Sequence, residues 1–510
     1  MTKYILRKGS EIGSLDAEAD SFLSDCFIES SAYNTLLDFN TDSQNFSKRI
    51  ILGRTGSGKT ALLTQVSKNT NIKKSAIVEA ESTVFEHIIN NAFMSKLLDE
   101  KIDIRIFYKS LWLHVLIVKI IEIAYTDRNN FLEKIINFER KPYFKMMNEY
   151  VNELRDCFFD DEVIKEITNK ISSGVSLEAD IPAILNVDGK LSAEQTEKIQ
   201  ITTTRYVNTN LIKKQKALIK FLTEESGGKL KAIISIDDLD KSWLSTSSIR
   251  YDFINALLEA FKELLGVGFV KILISIRTDI VSGIYKNSLR QEEKDRSLIV
   301  PISWQKLEIR NILDKRINSL IKRQYESSTS VSFSDVFSFD INGTKADEYI
   351  ISRTMLRPRD AIDFVNLCLS LCDGVTELNE DIVIEAEEKF YSSRKRALCD
   401  EWVSLHVDIE TYINALYLLH KKSFKVSELD DIIKDKVLCY VMDNSTSNTD
   451  GHNEIATDFN KLVKLWFETG IIGIEKSESL IIYSSFDKPN LDITDLSKNF
   501  RVHPLFFREQ

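Results

Sequence analysis

The chain has 510 residues, 43% of them hydrophobic, and its formal net charge at pH 7 is −10. This length exceeds what one hydrophobic core supports, so we expect about two to four domains. The acidic balance, with a pI near 5.4, argues against nonspecific coating of nucleic acid, because such binding depends on an excess of Lys and Arg.

The amino-terminal stretch MTKYILRKGSEIGS lacks the apolar core of a signal peptide, which predicts a cytoplasmic protein. The most apolar run, Leu111 to Ala124, carries His114, Lys119 and Glu122. It predicts a buried amphipathic helix rather than a membrane span, which needs about 20 mostly uncharged residues. We therefore expect no membrane partner. The scattered cysteines and histidines form no ligand-like cluster, so we assign no structural metal.

Composition and periodicity divide the chain into five parts. Helices are expected at Leu15 to Phe27 and at Ser31 to Phe39 in the first part. The predicted parts are an N-terminal helical segment (1–46), a nucleotide-binding core (47–80 and 229–303), a helical insertion with a β-hairpin (81–228), a helical lid (304–400) and a C-terminal winged-helix-like module (401–510).

The stretch from Arg49 to Leu63, RIILGRTGSGKTALL, matches the phosphate-binding pattern G-x-x-x-x-G-K-[ST] between an apolar strand and a helix. Backbone N–H groups of such a loop wrap phosphates, Lys59 supplies a positive charge and Thr60 a magnesium ligand. The alternative is a glycine-rich turn without a ligand. The predicted nucleotide-binding residues are Gly53, Arg54, Thr55, Gly56, Ser57, Gly58, Lys59, Thr60 and Ala61.

A second strand is expected at Ser75 to Glu79, and residues 81–160 then show helical periodicity. In residues 171–207 the segments VSLEADIPAILNV and KIQITTTRYV alternate apolar and polar residues around Asp188-Gly189. This alternation predicts a β-hairpin, either as a partner-binding element or as a purely structural one.

The core resumes with KAIISIDDLD, a short apolar strand that ends in Asp237, Asp238 and Asp240. An apolar strand of this kind is expected in the centre of a parallel sheet. Doubled acids after it are typical of a Walker B element, in which one carboxylate holds magnesium and the next orients the attacking water. We assign the metal to Asp237 and the water to Asp238.

Two further places in the core could supply a catalytic or sensing residue. The strand Val270 to Ile276 ends at Arg277-Thr278, and either residue could sense a γ-phosphate if this strand lies between the P-loop and Walker B strands. In the charged loop 286–296, Arg296, with Arg290 as the second choice, could act as an arginine finger in a neighbouring subunit. Each of these arginines could instead be a structural or solvated surface charge.

After a last core strand at Ser297 to Ile302, the segment from Trp304 to Arg323 is periodic and predicts an amphipathic helix. A serine-rich loop is expected at 327–342. In LRPRDAIDFVNLCLSLC, Pro358 suits the first turn of a helix, and Arg357 precedes it. Arg357 and Arg359 are therefore candidates for closing over the phosphates.

The C-terminal part predicts helices at Ile409 to Leu419, Val426 to Lys434 and Asp458 to Gly470, followed by a hairpin in GIIGIEKSESLIIYSSF. Three helices and a hairpin suggest a winged-helix module, whose second or third helix would present basic residues to DNA. Residues 401–510 contain 12 Lys or Arg and 18 Asp or Glu, a net charge of −6. This charge favours a protein contact over DNA.

These motifs together resemble the prokaryotic P-loop ATPases at the border of the AAA+ and STAND groups, most of all the KAP-like stand-alone ATPases. The resemblance covers residues 49–373, and the segments that carry it are GRTGSGKTALL, YKSLW, IDDLD, SIRTD, SW-x-x-L and LRPRD. It implies ATP as the nucleotide, a nucleotide-bound signalling state and a context such as phage defence. The chain departs from the family in lacking visible membrane helices in its insertion and a long repeat array after residue 400.

We therefore expect an α/β P-loop NTPase of the ASCE type that binds ATP and Mg²⁺. Hydrolysis would drive a conformational or oligomerisation switch, with a homo-oligomer and a protein partner or effector as the expected associations. The alternative is a DNA-associated initiator or loader that uses the C-terminal module. A nonhydrolysing scaffold fits less well, because both Walker elements are complete. A small-molecule kinase also fits less well, because the chain has an internal Walker B element with two acids.

Overall fold

The structure, a computed structural model, groups the chain into two compact units. One comprises residues 31–52 and 63–300, and the other comprises residues 1–30, 53–62 and 301–510. The residues that the structure describes are 4–40, 42–43, 46–47, 49–79, 103, 105–124, 194, 197, 200–201, 204–205, 207–225, 231–237, 239, 249–287, 295–325, 329–372, 374, 376–446, 455–477 and 480–507.

A five-stranded sheet with the order β2-β3-β4-β1-β5 forms the centre of the first unit. β2, β3 and β4 run parallel, and the first five residues of β3 are buried on both faces, which explains its uninterrupted apolar sequence. The parallel α/β class is as expected, and β4 lies between β1 and β3. The strands are β1 (Ile50–Gly53), β2 (Lys74–Glu79), β3 (Ala232–Asp237), β4 (Val270–Arg277) and β5 (Ile299–Pro301).

Helices pack around this sheet, and one of them is the apolar segment of the insertion. Trp112 from this helix packs on Phe253, with ring centroids 5.0 Å apart, and its indole N–H donates to the Phe253 carbonyl at 3.2 Å. The described helices are α2 (Ser31–Leu36), α3 (Lys59–Ser67), α4 (Arg105–Ala124), a π-helix (Val207–Ile212), α5 (Lys213–Glu225), α6 (Ile249–Glu263) and α7 (Thr278–Asn287). Among the described residues no helix is long and apolar enough to cross a bilayer.

The predicted β-hairpin is wrong in its second strand. Within KIQITTTRYV the described residues Gln200, Ile201, Thr204 and Arg205 are helical, and the π-helix begins at Val207. Tertiary contacts override the β-propensity of these residues, since Gln200 accepts from the Asp103 amide and donates to its carbonyl. The first predicted strand and the Asp188-Gly189 turn lie outside the described residues.

Two cations are buried where β1 and β4 begin. Lys271 is the second residue of β4, and its Nζ donates to the carbonyls of Thr35 at 3.1 Å and Asp38 at 2.9 Å. Burial, together with the nearby charge of Arg49, lowers the pKa of Lys271 to about 7, although Asp38 opposes this shift. Arg49 lies 4.7 Å above the ring of Phe46, and burial lowers its pKa to about 10.

In the second unit, helices pack around one continuous apolar core. Phe364 and Phe390 stack within it with ring centroids 4.7 Å apart. Pro358 is at the first helical position, where its missing N–H leaves no hydrogen bond unmade. The elements before residue 403 are α1 (Leu23–Cys26), α8 (Lys306–Tyr325), α9 (Phe333–Val336), β6 (Asp340–Ile341), β7 (Thr344–Lys345), α10 (Ala346–Arg353), α11 (Pro358–Ser370) and α12 (Glu380–Trp402).

The helix predicted at Leu15 to Phe27 is reduced to α1, and turns occupy the residues before it. Side chains explain the difference, because Asp16 accepts from the amide of Glu18 and Asp20 accepts from the amide of Phe22. Such local bonds compete with helical ones. Asp20 also forms a buried ion pair of 2.6 Å with Arg316, which ties this segment to α8.

The C-terminal segment combines three helices with a small sheet of order β10-β9-β11-β8. The helix predicted at Val426 to Lys434 begins later, because the Asp430 side chain caps the amide of Ile432, and a 3₁₀ turn occupies residues 426–428. The elements are α13 (Ile409–Tyr417), β8 (Ser423–Lys425), α14 (Asp431–Asn444), α15 (Phe459–Thr469), β9 (Ile472–Ser477), β10 (Leu480–Ile482) and β11 (Asn499–Val502). β9 and β10 form the expected antiparallel hairpin.

Candidate functional site

The loop between β1 and α3 has the backbone of a phosphate cradle. Gly56 and Gly58 adopt φ angles of +78° and +91°, a region that side chains disfavour, so both positions require glycine. Lys59 extends back across the loop, and its Nζ donates to the carbonyls of Gly53 and Arg54, both at 3.2 Å. The ammonium group is thereby held where the loop encloses it.

The start of α3 completes this cradle. α3 begins at Lys59, so Lys59, Thr60 and Ala61 form its first turn, whose backbone N–H groups point out of the helix end. A helix N-terminus beside an ammonium group favours an anion, and a hydroxyl at the second helical position can join a magnesium shell. The residues present therefore fit a phosphate group and Mg²⁺.

Residues 304–359, in the same unit as the loop, bind its carbonyl groups. The indole N–H of Trp304 donates to the Ser57 carbonyl at 2.8 Å, and the amide of Arg359 donates to the Gly56 carbonyl at 3.3 Å. The guanidinium of Arg357 donates to the Thr55 carbonyl at 3.1 Å. Three successive carbonyl groups thus have fixed donors.

Arg357 lies behind the loop in a buried position. It is 4% exposed, and burial first, then the charge of Arg54, lowers its pKa to about 10. Its NH1 also lies 3.4 Å from a carboxylate oxygen of Glu401. The sequence analysis proposed Arg357 as a phosphate sensor. The structure shows it bonded to a loop carbonyl, and the sensor role stays a prediction for this residue and for the exposed Arg359.

Glu401 is a site residue that the sequence analysis missed. Its carboxylate, 1% exposed, contacts Arg54, the amide of Thr55 and Arg357. Glu401 lies near the end of α12, 347 residues after Arg54 in the chain. No motif or spacing signals such a contact, and only the packing of α12 reveals it.

Asp237 and Arg277 end two neighbouring parallel strands, β3 and β4. Asp237 is half-buried. Arg277 forms a bidentate pair with Asp279, with Nε–Oδ1 at 2.8 Å and NH2–Oδ2 at 2.9 Å. This pair fixes the guanidinium at the carboxyl end of the sheet, next to Thr278, the first residue of α7.

The remaining predicted catalytic residues are less completely described. Asp238, Asp240 and Arg290 lie outside the described residues. Arg296 is exposed and follows Asp295, which is buried and pairs with Lys262. The structure therefore anchors the chain just before Arg296, and the finger role stays a prediction.

Comparisons with known proteins give one family match. The FunZ-associated C-terminal helical domain matches residues 307–399, which correspond closely to α8 to α12. A transposon gamma-delta 80.3 kDa protein from Escherichia coli (strain K12) is 21% identical over 369 residues, 72% of this chain and 47% of that protein. The chain thus spans about half the length of this relative.

A solved structure, that of the ORC2 protein of Aeropyrum pernix in ADPNP–ADP complexes, is similar over 93% of this chain and 89% of the other. The TM-score is 0.39 and the sequence identity is 12%.

Proposed function

We propose that this chain is a magnesium-dependent ATPase whose nucleotide cycle drives a conformational or oligomerisation switch. The observation that carries the proposal is the loop at residues 53–60, in which two left-handed glycines and the Lys59 ammonium enclose the N-terminus of α3. This arrangement binds the phosphates of a nucleotide.

Each proposed residue has a separate chemical role. Lys59 and the loop amides bind and orient the β- and γ-phosphates, and Thr60 and Asp237 provide oxygen ligands for Mg²⁺. When bound, Mg²⁺ neutralises charge that develops on the phosphate oxygens. Asp238 orients the attacking water and accepts its proton. Arg277 and Arg296 are the candidates for stabilising the negative charge on the phosphate oxygens during phosphoryl transfer.

Lys59→Ala tests the proposal, with Lys68→Ala as the matched control because Lys68 is exposed one residue after the end of the same helix. We expect Lys59→Ala to abolish ATP turnover and to weaken ATP binding, measured by phosphate release and calorimetry. Lys68→Ala should behave like the wild-type chain. Normal binding and turnover in Lys59→Ala would refute the proposal.

An oligomerisation switch can be tested by measuring the molecular mass of the protein in solution. We expect a slowly hydrolysed ATP analogue and Mg²⁺ to raise the molecular mass of the wild-type protein in solution, in keeping with a homo-oligomer. Arg296→Ala should then lower turnover without preventing ATP binding. An unchanged mass would contradict the role of Arg296 in a neighbouring subunit. A role in defence against phage remains our proposal for the biological setting.

A DNA-associated initiator or loader is the second candidate function. Its support is the element order of residues 409–502: helix, strand, two helices and three strands, with β11 between β8 and β9. This order is in keeping with the proposed winged-helix-like module. Most of α15 is buried, and the exposed residues of α14 include Asp431, Asp435 and Asp443 against a single exposed basic residue, Lys436, which disfavours a duplex partner. ATP-dependent retention of labelled duplex at moderate salt would support this second function.

A further inference from the structure

Glu401 joins the phosphate loop to the C-terminal segment. Its Oε1 lies 3.4 Å from Arg54 Nε and 3.4 Å from the Thr55 amide. Its Oε2 lies 3.4 Å from NH2 of Arg54 and 3.4 Å from NH1 of Arg357. Both oxygens of one buried carboxylate are thus directed at the loop and at the arginine that also binds the loop.

We infer that Glu401 is a positioning residue of the nucleotide site, which holds the phosphate loop through Arg54 and Thr55 and transmits the position of the loop to residues 403–510. This inference rests on the proposed function, because it presumes that the loop binds ATP. It assigns to Glu401 no contact with the nucleotide.

The charges around the loop make Glu401 hard to replace. A second buried pair, Asp360 with Arg394, lies within electrostatic reach of Arg357. This cluster combines the guanidinium groups of Arg54, Arg357 and Arg394 with the carboxyl groups of Glu401 and Asp360. Neutralising Glu401 would leave Arg54 and Arg357 without their shared counter-charge in a dry environment, which buried charges tolerate poorly.

The direction of the Thr55 amide shows how Glu401 acts. The amide donates to Glu401, while the Thr55 carbonyl accepts from Arg357. The amide and the carbonyl of Thr55 are therefore both held by side chains outside the loop. The following residues, Gly56 to Lys59, form the phosphate cradle. A carboxylate in this place restrains the loop without occupying the phosphate position.

The C-terminal segment borders the same arginine. A Cβ added to Gly470, which ends α15 with φ +82°, would lie 2.5 Å from NH1 of Arg54. The pKa of the buried His503 is lowered to about 3, first by burial and then by the charges of Arg353, Arg357 and Arg54. Arg54 therefore lies against the end of α15 and within electrostatic reach of His503, the residue after β11.

Glu401→Gln removes the charge and retains the size of the side chain, and Asp400→Asn is the matched control because Asp400 is its exposed neighbour on α12. We expect Glu401→Gln to weaken ATP binding roughly tenfold by calorimetry on the full chain, the order expected when charge-assisted hydrogen bonds are lost. Asp400→Asn should bind ATP as the wild type does.

Hydrogen exchange separates positioning from a purely structural role. In the wild-type chain, saturating ATP with Mg²⁺ should slow amide exchange in residues 403–408, the connection between α12 and α13. In Glu401→Gln at saturating ATP this protection should disappear, whereas Asp400→Asn should keep it. A residue that only stabilised the fold would change exchange equally with and without ATP.

Arg54→Met tests the same contact from the loop side. The Arg54 side chain is 19% exposed, so the folded protein should tolerate the loss of this guanidinium better than the loss of the buried Glu401 charge. If Glu401 acts through Arg54, the variant that combines Glu401→Gln with Arg54→Met should bind ATP about as tightly as the single variant with the lower ATP affinity. Fully additive losses in affinity would overturn the inference, as would wild-type affinity and retained protection in Glu401→Gln. Failure of the wild-type chain to bind ATP would instead refute the proposed function, and with it this inference.

Discussion

The buried Lys271 makes a quantitative prediction about stability and pH. Its ammonium group is 0% exposed at the beginning of β4, next to Arg49, and donates to two carbonyl groups. Lys271→Met has a side chain of similar length without a charge. The difference in unfolding free energy between this variant and the wild type isolates the titration of one residue, because all other groups titrate alike in both proteins.

The sign follows from the two protonation states. Burial lowers the pKa of Lys271 to about 7 in the folded protein, against an ordinary value of 10.5 in the unfolded chain. From about pH 7 upward the folded protein releases this proton while the unfolded chain keeps it, so the wild type gains stability relative to Lys271→Met as the pH rises. At about 1.4 kcal/mol per pH unit, the gain between about pH 7 and pH 9 is roughly 2 kcal/mol.

Urea denaturation of both proteins at pH 6, 7, 8 and 9 measures this difference. Lys231→Met is the control, because Lys231 is exposed just before β3. It should show a difference from the wild type that does not vary over this range. A pH-independent difference for Lys271→Met would show that Lys271 keeps its proton in the folded protein, and would refute the reasoning.

Three further predictions concern Trp304, two glycines of the N-terminal segment and Asp238. Trp304→Phe keeps an aromatic ring but loses the indole N–H that donates to the Ser57 carbonyl, so ATP affinity measured by calorimetry should fall about three- to tenfold. Unchanged affinity would show that this hydrogen bond does not order the loop. Gly13→Ala should lower the melting temperature far more than Gly9→Ala, because both glycines have positive φ but only the Cβ at Gly13 would collide with the Arg316 guanidinium; equal losses would contradict this. Asp238→Asn should retain ATP binding and lower phosphate release about a hundredfold or more, and turnover at the wild-type rate would remove Asp238 from its proposed role.

The central strands β3 and β4 were predictable from sequence because burial on both faces imposes apolar runs with sharp ends. Predicted strands at Ser75 to Glu79 and Val270 to Ile276 differ from β2 and β4 by one residue. The segment from Leu15 to Phe27 was not predictable in this way. It has helical periodicity, but Asp16 and Asp20 bond their own neighbouring amides and produce turns.

Some residues of the candidate site could likewise be predicted from the sequence, and others could not. The spacing of Gly53, Gly58 and Lys59 specifies a loop whose conformation depends on adjacent residues, so a local pattern suffices to find it. Glu401 reaches the loop only because α12 packs beside it, and such a long-range contact leaves no local pattern. The roles of Arg357 and Arg359 were ambiguous for a related reason, since a guanidinium can donate to a phosphate or to a backbone carbonyl and the sequence does not show which acceptor lies near it.

The three donors that hold the carbonyl groups of residues 55–57 have a consequence for the thermodynamics of binding. A glycine-rich loop is entropically costly to order, and these donors order it during folding rather than when a ligand arrives. Nucleotide binding should therefore involve little loss of backbone entropy at the loop. A fragment that ends before Trp304 would retain the whole glycine pattern, yet its loop would have to become ordered with each binding event.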